Sequence, residues 1–126
     1  MKAATVVRRR PRQARAQSTV DAIYEATLQI IEREGAERIT TNRISEVSGF
    51  SVGMLYQYFH DRDSLLMAMA IAHRDRLIER LKLILIASRD QPAGEAISRL
   101  VAVLVADARS NRKMLRAVVR AVTRKE

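Results

Sequence analysis

The 126-residue chain has no cysteine. That excludes disulfides and thiolate metal sites and makes a reducing cytoplasm the expected location. No apolar run approaches the roughly 18 residues of a membrane span. The start, MKAATVVRRRPRQARAQ, is basic but lacks the apolar middle of a secretory leader. Histidine is scarce, with only His60 and His73. There is no glycine-rich phosphate loop and no metal-ligand spacing. These shortages argue against an enzyme, a cofactor or a bound metal. His60 beside Asp61 and Asp63 is the one grouping with acid–base or metal character. Its place at a helix corner favours a solvent-exposed or phosphate-near role. His73-Arg74-Asp75 falls mid-helix and is expected as surface charge. Alternating strand patterns and internal repeats are missing too, so the expected fold class is all-α.

Positive charge is plentiful. The formal net charge is +9, and 48% of the residues are hydrophobic. A chain this basic is suited to a polyanion, either nucleic acid or an anionic membrane surface. The charge gathers at the ends. Residues 1–17 hold Lys2, Arg8, Arg9, Arg10, Arg12 and Arg15 and no acid. Residues 110–126 hold Arg112, Lys113, Arg116, Arg120, Arg124 and Lys125 against Glu126 alone. The second run lies far from the motif described below and is expected as a solvated tail.

Residues 1–17 show no hydrophobic period and contain a proline, which predicts a basic disordered arm. Ser18 is the expected N-cap of a first helix over about 19–34, with Ile23, Ala26, Thr27, Ile30 and Ile31 at helical spacing. Gly35 lies just past the series and can end it in the left-handed conformation. Thr40 or Thr41 caps a second, short helix with Ile44 and Val47 inward, ended by Gly49. Ser51 caps a third, carrying Met54, Leu55, Tyr56 and Phe59. A long fourth helix, about 62–88, holds Leu65, Leu66, Met69, Ala72, Leu77, Leu81, Ile84 and Leu85. Its second half is apolar nearly all round, which predicts burial on more than one side. A fifth helix, about 95–109, offers Ile97, Leu100, Val101, Leu104, Val105 and Ala108 as its inner face. A sixth, about 112–124, carries a stripe of Met114, Leu115, Val118, Val119 and Val122.

The second and third helices with the Gly49 turn form a helix-turn-helix pattern. The B-DNA major groove admits one helix and displays a distinguishable code of base edges. A reading helix needs small residues at its front to bring its backbone close, and Ser51, Val52 and Gly53 meet that need. Its free N–H groups and dipole favour a phosphate at the same end, beside Ser51. Met54 can touch a thymine methyl. Thr41, Tyr56 and Tyr58 can bond phosphates, which positions the reader without choosing sequence.

Residues 19–66 resemble the N-terminal domain of TetR-family transcriptional regulators. The resemblance runs through Ile23-Tyr24-Glu25-Ala26-Thr27, Gly35 and Thr41. It continues from Ile44-Ser45-Glu46-Val47-Ser48-Gly49-Phe50-Ser51 to Gly53-Met54-Leu55-Tyr56-Gln57-Tyr58-Phe59, and ends in Asp61-Arg62-Asp63-Ser64-Leu65. Ser45 and Ser48 stand where alanines are usual, Tyr58 where a histidine is usual and Arg62 where a lysine is usual. The resemblance implies that Thr41, Tyr56, Tyr58 and Arg62 contact phosphates, with Arg43 an additional contact. It implies that Asn42, Val52, Gly53 and Met54 face bases, and Gln57 reaches a base edge or a phosphate.

It further implies a homodimer on a near-palindromic double-stranded operator, mostly repressing, and released when a small-molecule inducer enters the C-terminal domain. The basic arm would reach the adjacent minor groove. The implied architecture is an arm at 1–17 and a three-helix DNA-binding domain at 18–66. A long linking helix and part of a helical ligand-binding and dimerisation domain follow at 67–126. Relatives of this kind are longer, so the chain is expected to be a fragment, a truncated product or a naturally short member. The competing function is a basic amphipathic module for a membrane surface or a partner helix. It leaves the Gly49 turn and the spacing from Ser51 to Tyr56 without a purpose.

Overall fold

A computed structural model describes residues 2–124, with side chains from residue 13 onward. Among the described residues there are six α-helices and one 3-10 turn, with no strand. The fold is all-α, as the periodicity predicts. The chain divides into two compact units, Met1–Arg62 and Asp63–Glu126.

The first unit opens with α1, Lys2–Arg33. Its helix begins well before the expected start near residue 19, and the disordered arm expected over 1–17 is corrected accordingly. Gln13-Ala14-Arg15-Ala16-Gln17 are all good helix formers. Gln17 donates to Asp21 at 2.9 Å, one helical turn on. The stretch shows no apolar period because it is exposed and needs no buried face. Ser18 therefore lies inside the helix rather than at its cap. The minor-groove role expected for the arm falls largely on side chains of residues 1–12, outside those described.

Further along α1 the spacing of apolar residues becomes the core. Ile23, Ala26, Ile30 and Ile31 are buried, and so is Thr27, whose hydroxyl donates to the Ile23 carbonyl at 2.8 Å. Each buried isoleucine contributes about 1.5–3 kcal/mol relative to exposure. Gly35 ends the helix at φ 98°, its N–H reaching the Ile30 and Ile31 carbonyls at 3.0 and 3.2 Å. A 3-10 turn, Ala36–Arg38, follows and delivers Ile39 to the core. Two short helices complete the unit: α2, Thr41–Ser48, and α3, Val52–Tyr58. Ile44 and Leu55 are their buried anchors. Phe59, just past α3, lies against Tyr24 of α1 with ring centroids 5.9 Å apart.

The second unit is built from α4, Arg62–Ala87, whose first residue ends the first unit, with α5, Ala93–Ser110, and α6, Arg112–Thr123. Leu65, Leu66 and Met69 of α4 are buried. Its apolar second half is not: Leu83, Leu85 and Ile86 are all more than half exposed. The expected inner face of α5 is also corrected, since Ile97, Val101, Leu104 and Val105 are exposed. The half-buried line of α5 is Ala96, Leu100, Val103 and Asp107. Asp107 explains the rotation. Its Oδ2 lies 2.8 Å from Nε2 of His73 on α4, and Asn111 donates to its Oδ1 at 3.2 Å. His73 is thus partly buried and paired, not the surface charge its position suggested. On α6 the buried residues are Met114, Ala117 and Ala121, whereas Val119 and Val122 of the expected stripe are exposed.

Candidate nucleic-acid interface

The helix-turn-helix is held by local hydrogen bonds that the sequence specifies residue by residue. Thr40 caps α2: its hydroxyl accepts from the Arg43 N–H at 3.0 Å, satisfying a donor that the first turn leaves open. Gly49 closes α2 in the left-handed region, at φ 81° and ψ −1°, and its N–H bonds the Ser45 carbonyl at 2.9 Å. A side chain here would cost energy because its Cβ crowds the carbonyl. Phe50 is then pinned from both sides. The Ser45 hydroxyl donates to its carbonyl, and its N–H donates to the Ser48 hydroxyl at 3.2 Å. The two serines that replace the usual alanines therefore close the turn. Ser51 caps α3 by accepting from the Met54 N–H at 3.1 Å.

With Leu55 turned inward, the other side of α3 faces out. Ser51, Gly53, Gln57, Tyr56 and Tyr58 are exposed, and Val52 and Met54 are half-buried. Tyr56 is 55% exposed and carries its hydroxyl 3.4 Å from that of Thr41 on α2. These two residues, fifteen apart in sequence, converge on one spot where either hydroxyl can serve as donor. Asn42 stands exposed beside Thr41. Gly53 lies in the first turn of α3 and is not a packing glycine. A Cβ placed there would meet nothing nearer than the Ser51 hydroxyl, at 4.0 Å.

The two arginines expected at phosphates are already engaged. Arg43 Nε donates to both carboxylate oxygens of Glu34 at 3.1 Å, and Nη1 donates to Glu46 at 2.7 Å. Its hydrogen bonds to Glu34, then to Glu46, hold the guanidinium protonated beyond its ordinary range. Arg62 turns inward. Its Nη2 donates to the Ala36 carbonyl at 3.0 Å, and its Nε is buried without a hydrogen-bond partner among the described residues. The geometry brings Thr41 of α2 and Tyr56 of α3 together and gives Arg43 and Arg62 protein partners. Glu46 was legible as a partner, three residues along the helix from Arg43. Glu34 and the Ala36 carbonyl were not, because only the folded chain brings them near.

Elsewhere, His60 is exposed. Among the described residues no group of His, Cys, Asp and Glu could hold a metal, and no helix is long and apolar enough to cross a membrane.

Comparison with known proteins points the same way. Residues 23–69 match the family model described as bacterial regulatory proteins, tetR family. That span covers the apolar face of α1, the whole helix-turn-helix and the start of α4. Among solved structures, the chain is similar to a TetR family transcription regulator from Marinobacter aquaeolei VT8, with a TM-score of 0.64 at 22% identity. The match covers 89% of this chain and 57% of that one, and at such identity it is a likeness of fold. A comparison with curated proteins found no match. Over residues 23–69, then, the chain is similar to the tetR family of bacterial regulatory proteins.

Proposed function

We propose that this chain regulates transcription by placing α3 in the major groove of a specific operator. Two copies would bind a near-palindromic site, repress, and release DNA when a small-molecule inducer binds. The family resemblance carries the dimer, the repression and the inducer, and a DNA target makes the cytoplasm the place of action. The observation that carries the DNA-reading surface is Gly53. A glycine in a helix costs about 0.5–1 kcal/mol relative to alanine. No atom of the first unit needs the space that Gly53 leaves. The vacancy is useful to something outside the chain that must come close to the α3 backbone, and a duplex groove has that shape.

In the proposed surface Thr41, Tyr56, Tyr58 and Ser51 meet phosphates. Asn42, Val52, Gly53 and Met54 meet base edges, and Gln57 reaches either. The test is selection of bound fragments from random-sequence duplex DNA by the 126-residue chain. The expected product is a pair of inverted half-sites about 10 base pairs apart, or a multiple of that, centre to centre. Failure to enrich any sequence at low salt would refute the proposal. Binding to anionic vesicles in preference to DNA in the same salt would favour the membrane-surface alternative.

A further inference from the structure

Arg43 has the charge of a phosphate contact but the surroundings of a brace. It lies two residues beyond Thr41, about 200° around a helix that turns roughly 100° per residue. Thr41 uses one side of α2 to meet Tyr56 of α3. Arg43 uses the opposite side to meet Glu34, the residue that follows the last turn of α1. Its fork is divided between two carboxylates, Nε on Glu34 and Nη1 on Glu46. The two carboxylates take up the charge and the donors of Arg43, so it has less to offer a phosphate than an unpaired arginine would. Arginine suits this arrangement because its planar fork can grip two carboxylates in fixed directions, which a lysine cannot do. The grip ties the end of α1 to the first turn of α2, across the loop that holds Gly35 and the 3-10 turn.

We infer that Arg43, clasped by Glu34 and Glu46, is a positioning residue that sets the rotation of α2 and so aims Thr41 and Asn42 at the duplex. The inference rests on the DNA-reading proposal above and replaces the phosphate role that the sequence suggested for Arg43. If α2 rolls about its axis, Asn42 leaves its base edge while the general attraction of the basic chain for DNA remains. The clasp thus bears on sequence preference and not on the number of phosphates neutralised.

The test compares wild type, Arg43→Ala and the double variant Glu34→Gln/Glu46→Gln. Each is titrated against the duplex recovered by selection and a scrambled duplex of the same length and composition, over a range of salt. Circular dichroism at the assay temperature checks that each variant is folded. In both variants the ratio of selected to scrambled affinity is expected to fall by about fivefold, the lower end of the cost of one base contact. For Arg43→Ala, the salt slope on the selected duplex is expected to stay unchanged. A phosphate contact would behave otherwise. Arg43→Ala would weaken both duplexes together and make the slope shallower by about 0.9. Glu34→Gln/Glu46→Gln would strengthen both. Either of those results overturns the positioning role, and so does an unchanged ratio in both variants. Equal loss on both duplexes with no change in slope, alongside a lowered melting temperature, would reduce the clasp to a folding element and overturn the role as well. A wild-type chain that prefers no duplex would instead remove the DNA-reading proposal itself.

Discussion

Replacing Gly53 by alanine adds one methyl group at the exposed front of α3. Inside the protein the methyl has room: its nearest neighbour is the Ser51 hydroxyl at 4.0 Å, an ordinary contact distance. The backbone there is not in the left-handed region, so the substitution adds no strain. What remains is the helix preference of alanine over glycine, about 0.5–1 kcal/mol in favour of the folded state. For a cooperative unit of about 60–100 residues that raises the melting temperature by about 2–8 °C. On the proposed DNA-facing side the same methyl would stand where the duplex is expected to come close. A displaced reading helix forfeits at least one base contact, about 1–3 kcal/mol, or roughly fivefold to more than a hundredfold in affinity. Thermal melting by circular dichroism and anisotropy titration of the selected duplex read the two effects separately. The substitution should therefore make a better-folded and poorer-binding protein. A raised melting temperature with unchanged affinity would show that the duplex does not approach Gly53. A lowered melting temperature would show that the glycine serves the fold after all.

Tyr56→Phe removes the hydroxyl that meets Thr41 and should weaken all duplexes alike by about 0.5–1.5 kcal/mol in the same titration. Asn42→Ala should instead alter the ranking among operator variants, and a uniform loss would undo that division of roles. Gly49→Ala forces a side chain into φ 81°. It should destabilise the first unit by about 1–2 kcal/mol in urea unfolding, whether or not DNA is present. Arg62→Ala frees the Ala36 carbonyl and should cost about 0.5–3 kcal/mol of stability, with the salt slope of DNA binding unchanged. A shallower slope would return Arg62 to the phosphates.

The helix-turn-helix was legible because its signals are local. Period, caps and a left-handed glycine place Ile23, Ala26, Ile30, Thr40, Gly49 and Ser51 without knowledge of what packs where. The beginning of α1 was missed because an exposed helix leaves no apolar period, only propensity. The face of α5 was missed for the opposite reason. Its apolar stripe is plain in the sequence, but a stripe does not say that anything covers it. The rotation of α5 follows instead from His73, thirty-four residues upstream of its partner Asp107. Arg43 shows the limit for the candidate site: its charge is visible in the sequence, and the carboxylate of Glu34 that takes up that charge arrives only when α1 and α2 are packed.

Three of the outward-facing residues, Asn42, Gly53 and Gln57, take no part in closing the turn. Ser45, Ser48, Gly49 and Phe50 close the turn among themselves, Thr40 and Ser51 cap the two helices, and Ile44 and Leu55 anchor them. Asn42, Gly53 and Gln57 carry none of those bonds and face outward. Substitutions at these three positions therefore leave the bonds of the scaffold beneath them in place. If the outward set reads DNA as proposed, its target could change one residue at a time over an unchanged scaffold.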